Sequence, residues 1–148
     1  MTPFRHILAP VDFEQCSLHA LDAAVDLAIR FDARLTVFHA WDIPALAYSG
    51  MIAEAPEIWA TLAEAAQQAM DGTILRVRKH LPAAQAVLVR GQAATEILSA
   101  IESTKADLVV IGTHGRQGLG RFFLGSVAEK VVRASPVPVL TIRVPAKS

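Results

Sequence analysis

Cysteine is almost absent. Cys16 is the only one among 148 residues, so no disulfide forms within the chain and no cysteine cluster can hold a metal. An excess of one charge is missing too: 14 basic residues face 14 acidic ones. That balance argues against a broad basic face for nucleic acid, because phosphate neutralisation supplies most of such affinity; only a local basic patch stays open. No stretch reaches the roughly 18 consecutive apolar residues that a membrane helix needs. The opening MTPFRHILAP has no charged segment leading into a long apolar run and a small-residue cleavage site. His6, His19, His39 and His80 show no metal-ligand spacing. There is no G-x-S-x-G elbow for a serine nucleophile. These absences together lead to the expectation of a soluble, cytoplasmic protein with no membrane or nucleic-acid partner.

What the chain does have is core material. Hydrophobic residues make up 53% and charged residues 19%, enough for a packed interior without staples, and the length suits one domain over 1–148. A short apolar run over 4–9 stops at Pro10 and reads as a strand. Leu18, Leu21, Val25, Ala28 and Ile29 follow at helical spacing, up to about Phe31. LTVFHAW over 35–41 is β-branched and aromatic, as buried strands are. A connection with two prolines leads to a second helical pattern from Pro56 to about His80. AQAVLVR, a short helix over 95–104, ADLVVIG, a helix over 126–134 and PVPVLTIR complete the series. The order β-α-β-α-β-α-β-α-β, with strands that are continuous apolar runs, predicts a doubly wound α/β fold. It is a five-stranded parallel sheet of order 3-2-1-4-5, with helices on both faces. Pro136 and Pro138 remove ladder donors from the last strand and place it at a sheet edge.

Glycine is unevenly distributed. Five of the eight, Gly112, Gly115, Gly118, Gly120 and Gly125, fall within 112–125. Glycine is needed where backbone turns sharply or approaches something closely, and that something is either another segment of the chain or a ligand. In a sheet of order 3-2-1-4-5 the strand order reverses between strands one and four, where ligands bind beyond the carboxyl ends. Strand one ends in Ala9-Pro10-Val11-Asp12, and strand four opens into the glycine loop. The loop is not a P-loop: Gly120 to Gly125 has the G-x4-G spacing, but Ser126 follows with no lysine between. Nor is it G-x-G-x-x-G, since Phe123 stands where the third glycine would be. What remains is Gly112-x2-Gly115-x9-Gly125-Ser126, a glycine–serine step into a helix whose first amides and dipole favour an anion.

Taken with APVD at 9–12, LTVFHAWD at 35–42, VRGQAATEI at 89–97, IGTHGRQGLGRFFLGSVAEKVV at 111–132 and the closing SPVPVLTIR, the chain resembles the universal stress protein family in its ATP-binding subgroup. The family pattern G-x2-G-x9-G-[ST] is matched in full, and the likeness spans nearly the whole chain, least over 43–80. The resemblance implies that Asp12, with Pro10 and Val11 before it, meets the ribose or base. It implies that the backbone of Ala40 bonds the adenine edge, at a position where a larger aliphatic is common. Ile111, Gly112, His114, Gly115 and Arg116 would line ribose and phosphates, and Gly125, Ser126 and Val127 would take the phosphates. It further implies ATP (or AMP or ADP) as ligand and Mg²⁺ or Mn²⁺ held through the phosphates. A homodimer through the last strand (about 137–143) and a role as stress-response regulator or sensor follow from the same likeness.

Each residue also has a plainer reading. Asp12 suits a cap before the first helix, and Ser126 an N-cap of the last. His114, Arg116 and Arg121 suit a solvated loop, although the two arginines could offset phosphate charge that the absent lysine leaves unbalanced. Phe122 and Phe123 read as packing of the loop onto the body, His39 and Trp41 as core, and Cys16 as structural. No catalytic set emerges, so any ATP hydrolysis is expected to be slow. The alternatives are an ATP-hydrolysing or adenylyl-transferring enzyme, and an interaction protein working through its dimer surface.

Overall fold

The computed structural model describes residues 3–43, 56–113 and 124–144. The elements are β1 (His6–Pro10), α1 (Gln15–Phe31), β2 (Arg34–Trp41), α2 (Pro56–Arg78), β3 (Gln85–Arg90), α3 (Ala93–Thr104), β4 (Leu108–Gly112), α4 (Ser126–Ala134) and β5 (Val139–Ile142). The five strands form one parallel sheet in the order β3-β2-β1-β4-β5, as the apolar strand runs predict. Two boundaries differ instructively. α1 starts at Gln15, ahead of the first periodic apolar residue, because Ser17 serves the first turn from inside the helix. β5 starts only at Val139, after the second proline, since Pro136 and Pro138 cannot donate to a ladder.

Two cores lie on the two faces. Ile7, Ala9, Leu35, Val37, Leu108 and Val110 pack against α1 and α2 through Leu21, Ala24, Val25, Met70, Ile74 and Val77. Leu8, Phe38, Val109 and Ile111 pack against α3 and α4 through Ile97, Ile101, Ala128 and Val131. Alternate residues of each central strand thus feed opposite cores, which is why these strands carry no polar face. Each fully buried large side chain contributes on the order of 1.5–3 kcal/mol.

Helices α1 and α3 end without glycine. Asp32 (φ 52°) and Lys105 (φ 57°) take the left-handed position, and the following amides of Ala33 and Ala106 return to Ala28 O (2.8 Å) and Ile101 O (3.2 Å). Glycine is therefore not spent on these stops, which sharpens the meaning of its cluster after β4.

The amino end of the sheet is pinned by Asp107, whose carboxylate accepts the amides of Arg5 (2.9 Å) and His6 (3.0 Å). His6 is buried. Its Nδ1 lies 2.9 Å from Thr104 O and its Nε2 2.7 Å from Thr36 Oγ1. A carbonyl only accepts, so Nδ1 carries the proton and Nε2 receives the threonine hydroxyl. Burial holds the His6 imidazole below its ordinary value of 6.5, against the opposing pull of the Thr104 carbonyl. His39 is held below 6.5 for the same first reason. Around and below pH 6.5 the unfolded chain then binds protons that the folded one refuses, so stability rises with pH there. This contribution is complete above 6.5 and is lost as pH falls through the folded values. Urea unfolding is expected to give a lower midpoint at pH 5.5 than at pH 7.5, with a smaller difference in a His6→Asn protein. An equal pH difference in that variant would show that His6 carries none of it.

Candidate functional site

The sheet opens where β1 and β4 run side by side. β1 pairs with β2 over five residues but with β4 only at Ile7↔Leu108 and Leu8↔Val109. Pro10, lacking an N–H, offers no donor to either neighbour. Beyond the carboxyl end of β1 stands the turn into α1, whose Cys16 meets Gly112, and beyond that of β4 stands the start of α4, tied back by the Gly125 amide to Thr113 O.

The turn at Asp12 is tightly specified. Asp12 is exposed, yet its Oδ1 accepts the Glu14 amide (2.9 Å) and the Ser17 hydroxyl (2.7 Å), and its own amide donates to Ser17 Oγ (3.1 Å). The formal N-cap, Glu14, makes no side-chain cap bond, so Asp12 and Ser17 do that work from either side. The capping reading of Asp12 thus holds, and among the described residues its Oδ2 accepts no hydrogen bond. Phe13, the next residue, sits at φ 66°, a left-handed conformation that is unfavourable for a bulky side chain. Its ring lies 4.5 Å from the His39 ring. His39 Nδ1 in turn lies 2.7 Å from Val11 O and must donate to it. Burial lowers the His39 pKa, opposed by the Val11 carbonyl and then by the Asp12 charge, so the ring is neutral near pH 7.

At β4 the chain bonds sideways and forward. Thr113 N donates to Ile142 O (3.1 Å), and Gly125 N donates to Thr113 O. The N-cap of α4 is Gly125, with no side-chain cap bond, and Ser126 is the first helical residue; the plain N-cap reading of Ser126 therefore does not apply. Glu129 N is the first amide to enter the helical ladder, donating to Gly125 O at 2.9 Å. The amides of Ser126, Val127 and Ala128 stand ahead of it, the donors that a helix start leaves outside its own ladder. Thr113 Oγ1 is buried and has no hydrogen-bond partner among the described residues, a cost of about 1–3 kcal/mol unless something supplies one.

The two described loop glycines serve different needs. A Cβ on Gly112 would meet Cys16 O at 3.0 Å and Cys16 C and Sγ at 3.1 Å, so the close approach there is made by the first turn of α1. Gly125 has φ −60° and ψ 158°, extended backbone that any residue adopts. Its glycine is not required by the backbone angle.

Ala40 lies one step from the end of β2, paired with Val89. Phe38 O accepts from Val11 N on the β1 side, and Trp41 O accepts from Gly91 N on the β3 side. Strand alternation turns the peptide groups of Ala40 to the β1 side, past the end of β1 at Pro10. Trp41 follows, with the Trp59 ring at 6.0 Å and Arg90 over Trp59 at 3.3 Å; this stack fastens the first turn of α2 to the carboxyl end of the sheet.

His114, Gly115 and Arg116, with Arg121, Phe122, Phe123 and the 43–55 connection beyond Ile43, lie outside the described residues. Among the described residues no three His, Cys, Asp or Glu side chains gather to hold a metal, and no helix is long and apolar enough to cross a membrane. Sequence reasoning missed Phe13, His39 and Thr113 as members of this region. A signal for His39 existed: it shares the α1–α2 face of β2 with Val37, where a second aliphatic would have packed. Phe13 and Thr113 gave none, since a backbone angle and an unpaired hydroxyl are tertiary facts.

Residues 3–143 match the Universal stress protein family model. The chain is 32% identical to universal stress protein MJ0531 of Methanocaldococcus jannaschii, over 97% of this chain and 85% of that one. It is 34% identical to a universal stress protein of Thermus aquaticus, over 95% and 99%. Among solved structures, the universal stress protein UspA from Lactobacillus plantarum superposes with a TM-score of 0.80 at 26% identity, covering 97% and 100%. Two more distant folds carry nucleotides: a universal stress protein in complex with cAMP (TM-score 0.67, 23% identity, 95% and 97% covered), and an Arabidopsis thaliana family protein with AMP bound (0.68, 15%, 96% and 93%).

Proposed function

The chain belongs to the universal stress protein family, and from that premise we propose that residues 1–148 form one adenine-nucleotide-binding domain acting as a cytoplasmic stress-response regulator or sensor. ATP is the ligand we favour, with AMP or ADP as the shorter forms and Mg²⁺ or Mn²⁺ on the phosphates. The observation that carries this reading is the start of α4. Three amides stand ahead of the helical ladder, the N-cap glycine is not demanded by its backbone angles, and its amide is tied to Thr113, whose buried hydroxyl has no partner among the described residues. A helix start of this kind favours phosphate, and the unpaired hydroxyl supplies a further donor.

The remaining parts fit the same ligand. Ala40 offers an N–H and a C=O past the end of β1, the pair an adenine edge requires. Asp12 keeps Oδ2 for a ribose hydroxyl. Gly125, Ser126 and Val127 take the phosphates, and the family likeness assigns His114, Gly115 and Arg116 to the ribose and phosphates. The cation would offset phosphate charge where a P-loop would have a lysine. β5 is an edge strand with Leu140 39% exposed, which favours a homodimer through residues 137–143. The AMP and cAMP complexes of distant family folds support an adenine nucleotide without choosing among its forms.

The test begins with the small molecules released by denaturing the purified protein, read by absorbance and mass spectrometry, followed by calorimetric titration. An adenine nucleotide in the extract, or saturable ATP binding, is expected. Both tryptophans, Trp41 and Trp59, stand beyond Ala40, so emission should change on saturation. No nucleotide in the extract and no heat at millimolar ATP would end the proposal. Turnover of ATP well above background, lost on changing Asp12 or His114, would favour the enzyme reading instead.

A further inference from the structure

We propose that His39 is a positioning residue of the nucleotide site, holding Val11 by its carbonyl and Phe13 by its ring and so setting the turn that presents Asp12. The inference rests on the nucleotide reading above for what Asp12 is presented to. The turn itself is independent of that reading.

The geometry is a bracket. Val11 and Phe13 flank Asp12, and both are gripped by one side chain from the neighbouring strand, at 2.7 Å and 4.5 Å. The peptide before the turn is fixed again from β2, since Val11 N donates to Phe38 O at 2.7 Å. With Val11 held on both its N–H and its C=O, and Phe13 held left-handed at φ 66°, the Asp12 backbone has little freedom. Its carboxylate is then locked onto Glu14 N and Ser17 Oγ through Oδ1 alone. Oδ2 takes no part in these bonds. A left-handed aromatic next to a candidate ligand residue is the kind of strain that persists only when its surroundings impose it.

An aliphatic residue at position 39 would fill the same half-buried space without this grip. Val37, two residues earlier on the same face, shows that β2 accepts one. The imidazole is the costlier choice, because a polar ring must be desolvated there. It returns a donor to a carbonyl that otherwise stands beyond the last β1 ladder residue, and a flat face for Phe13.

The experiment compares the full chain with His39→Leu, which removes the donor and the flat ring at similar bulk, and His39→Asn, which keeps an N–H near the Nδ1 place. ATP affinity is read by calorimetry, with and without Asp12→Ala. His39→Leu should weaken binding about tenfold, the worth of roughly one such hydrogen bond. His39→Asn should recover most of that loss. On the Asp12→Ala background, His39→Leu should add less than about twofold, because a residue acting through Asp12 has nothing left to act on. Full tenfold losses in both backgrounds, or no loss in either, would overturn the proposal. If His39→Leu does not fold, His39→Met, which also lacks a donor and a ring, takes its place with the same expectations.

Should the unaltered protein bind no ATP, the nucleotide reading fails while the bracket is still tested. Amide exchange at Glu14, whose N–H is held by Asp12 Oδ1, is then the readout. It should rise about tenfold in His39→Leu and little in His39→Asn, the same hydrogen-bond worth expressed as local opening. Unchanged Glu14 exchange in His39→Leu would refute the positioning role whatever the ligand.

Discussion

A Gly125→Leu protein should lose ATP affinity by more than about 100-fold, the equivalent of one or two charge-assisted hydrogen bonds, while remaining folded. The two halves of this expectation come from different observations. Gly125 adopts φ −60° and ψ 158°, so leucine meets no backbone penalty and the folding free energy should change by no more than about 1 kcal/mol. Its position as N-cap of α4 puts any side chain beside the amides of Ser126 and Val127. A phosphate approaching those amides would meet the leucine first. Calorimetry with ATP and urea unfolding, run on the same preparation, separate the effects. Loss of stability with unaltered affinity would mean that Gly125 is kept for packing, and the anion reading of this helix start would fall.

The partner prediction inverts the outcome. Gly112→Val should destabilise the fold by about 3 kcal/mol, the upper end of the usual cost of overpacking, because the new Cβ would stand 3.0 Å from Cys16 O and 3.1 Å from Cys16 C. A flexible side chain could swing aside, but backbone in the first turn of α1 cannot do so cheaply. That turn is already held by Asp12, Ser17 and the Leu18 N bond to Glu14 O at 3.0 Å. The urea midpoint should fall sharply, and saturating ATP should restore part of it by mass action, since only the folded chain binds. An unchanged midpoint would show that α1 and β4 separate freely. The close approach at Gly112 would then be of no structural consequence.

These two glycines answer the question posed by the crowded 112–125 segment. Of its five glycines, the two described ones have different reasons: chain approaches Gly112, whereas the argument at Gly125 is for a ligand. The spacing alone could not divide them. Both are glycines of one pattern, and the distinction depends on where Cys16, 96 residues earlier in the chain than Gly112, is placed by α1.

Much of the scaffold was legible. Continuous apolar strands and helical periodicities led directly to the five-stranded parallel order, because burial on both faces leaves little choice of pattern. The edge position of β5 was legible from Pro136 and Pro138 for an equally local reason. The reversal of strand order between β1 and β4 followed from the same patterns. Boundaries were less readable: α1 begins at Gln15 because Asp12 and Ser17 cap it jointly, a reciprocal contact that a residue-by-residue reading does not anticipate.

By itself, then, the sequence determined the element order, the covering of both sheet faces and the sheet edge, since each is set by local patterning repeated along the chain. Tertiary structure decided the rest. It set Phe13 at a left-handed angle, gave Val11's carbonyl to His39, left Thr113 Oγ1 without a partner among the described residues and pressed Cys16 against Gly112. Each of these depends on which strand lies beside which, and at what register, and no short-range pattern encodes that. It is written only in the packed sheet.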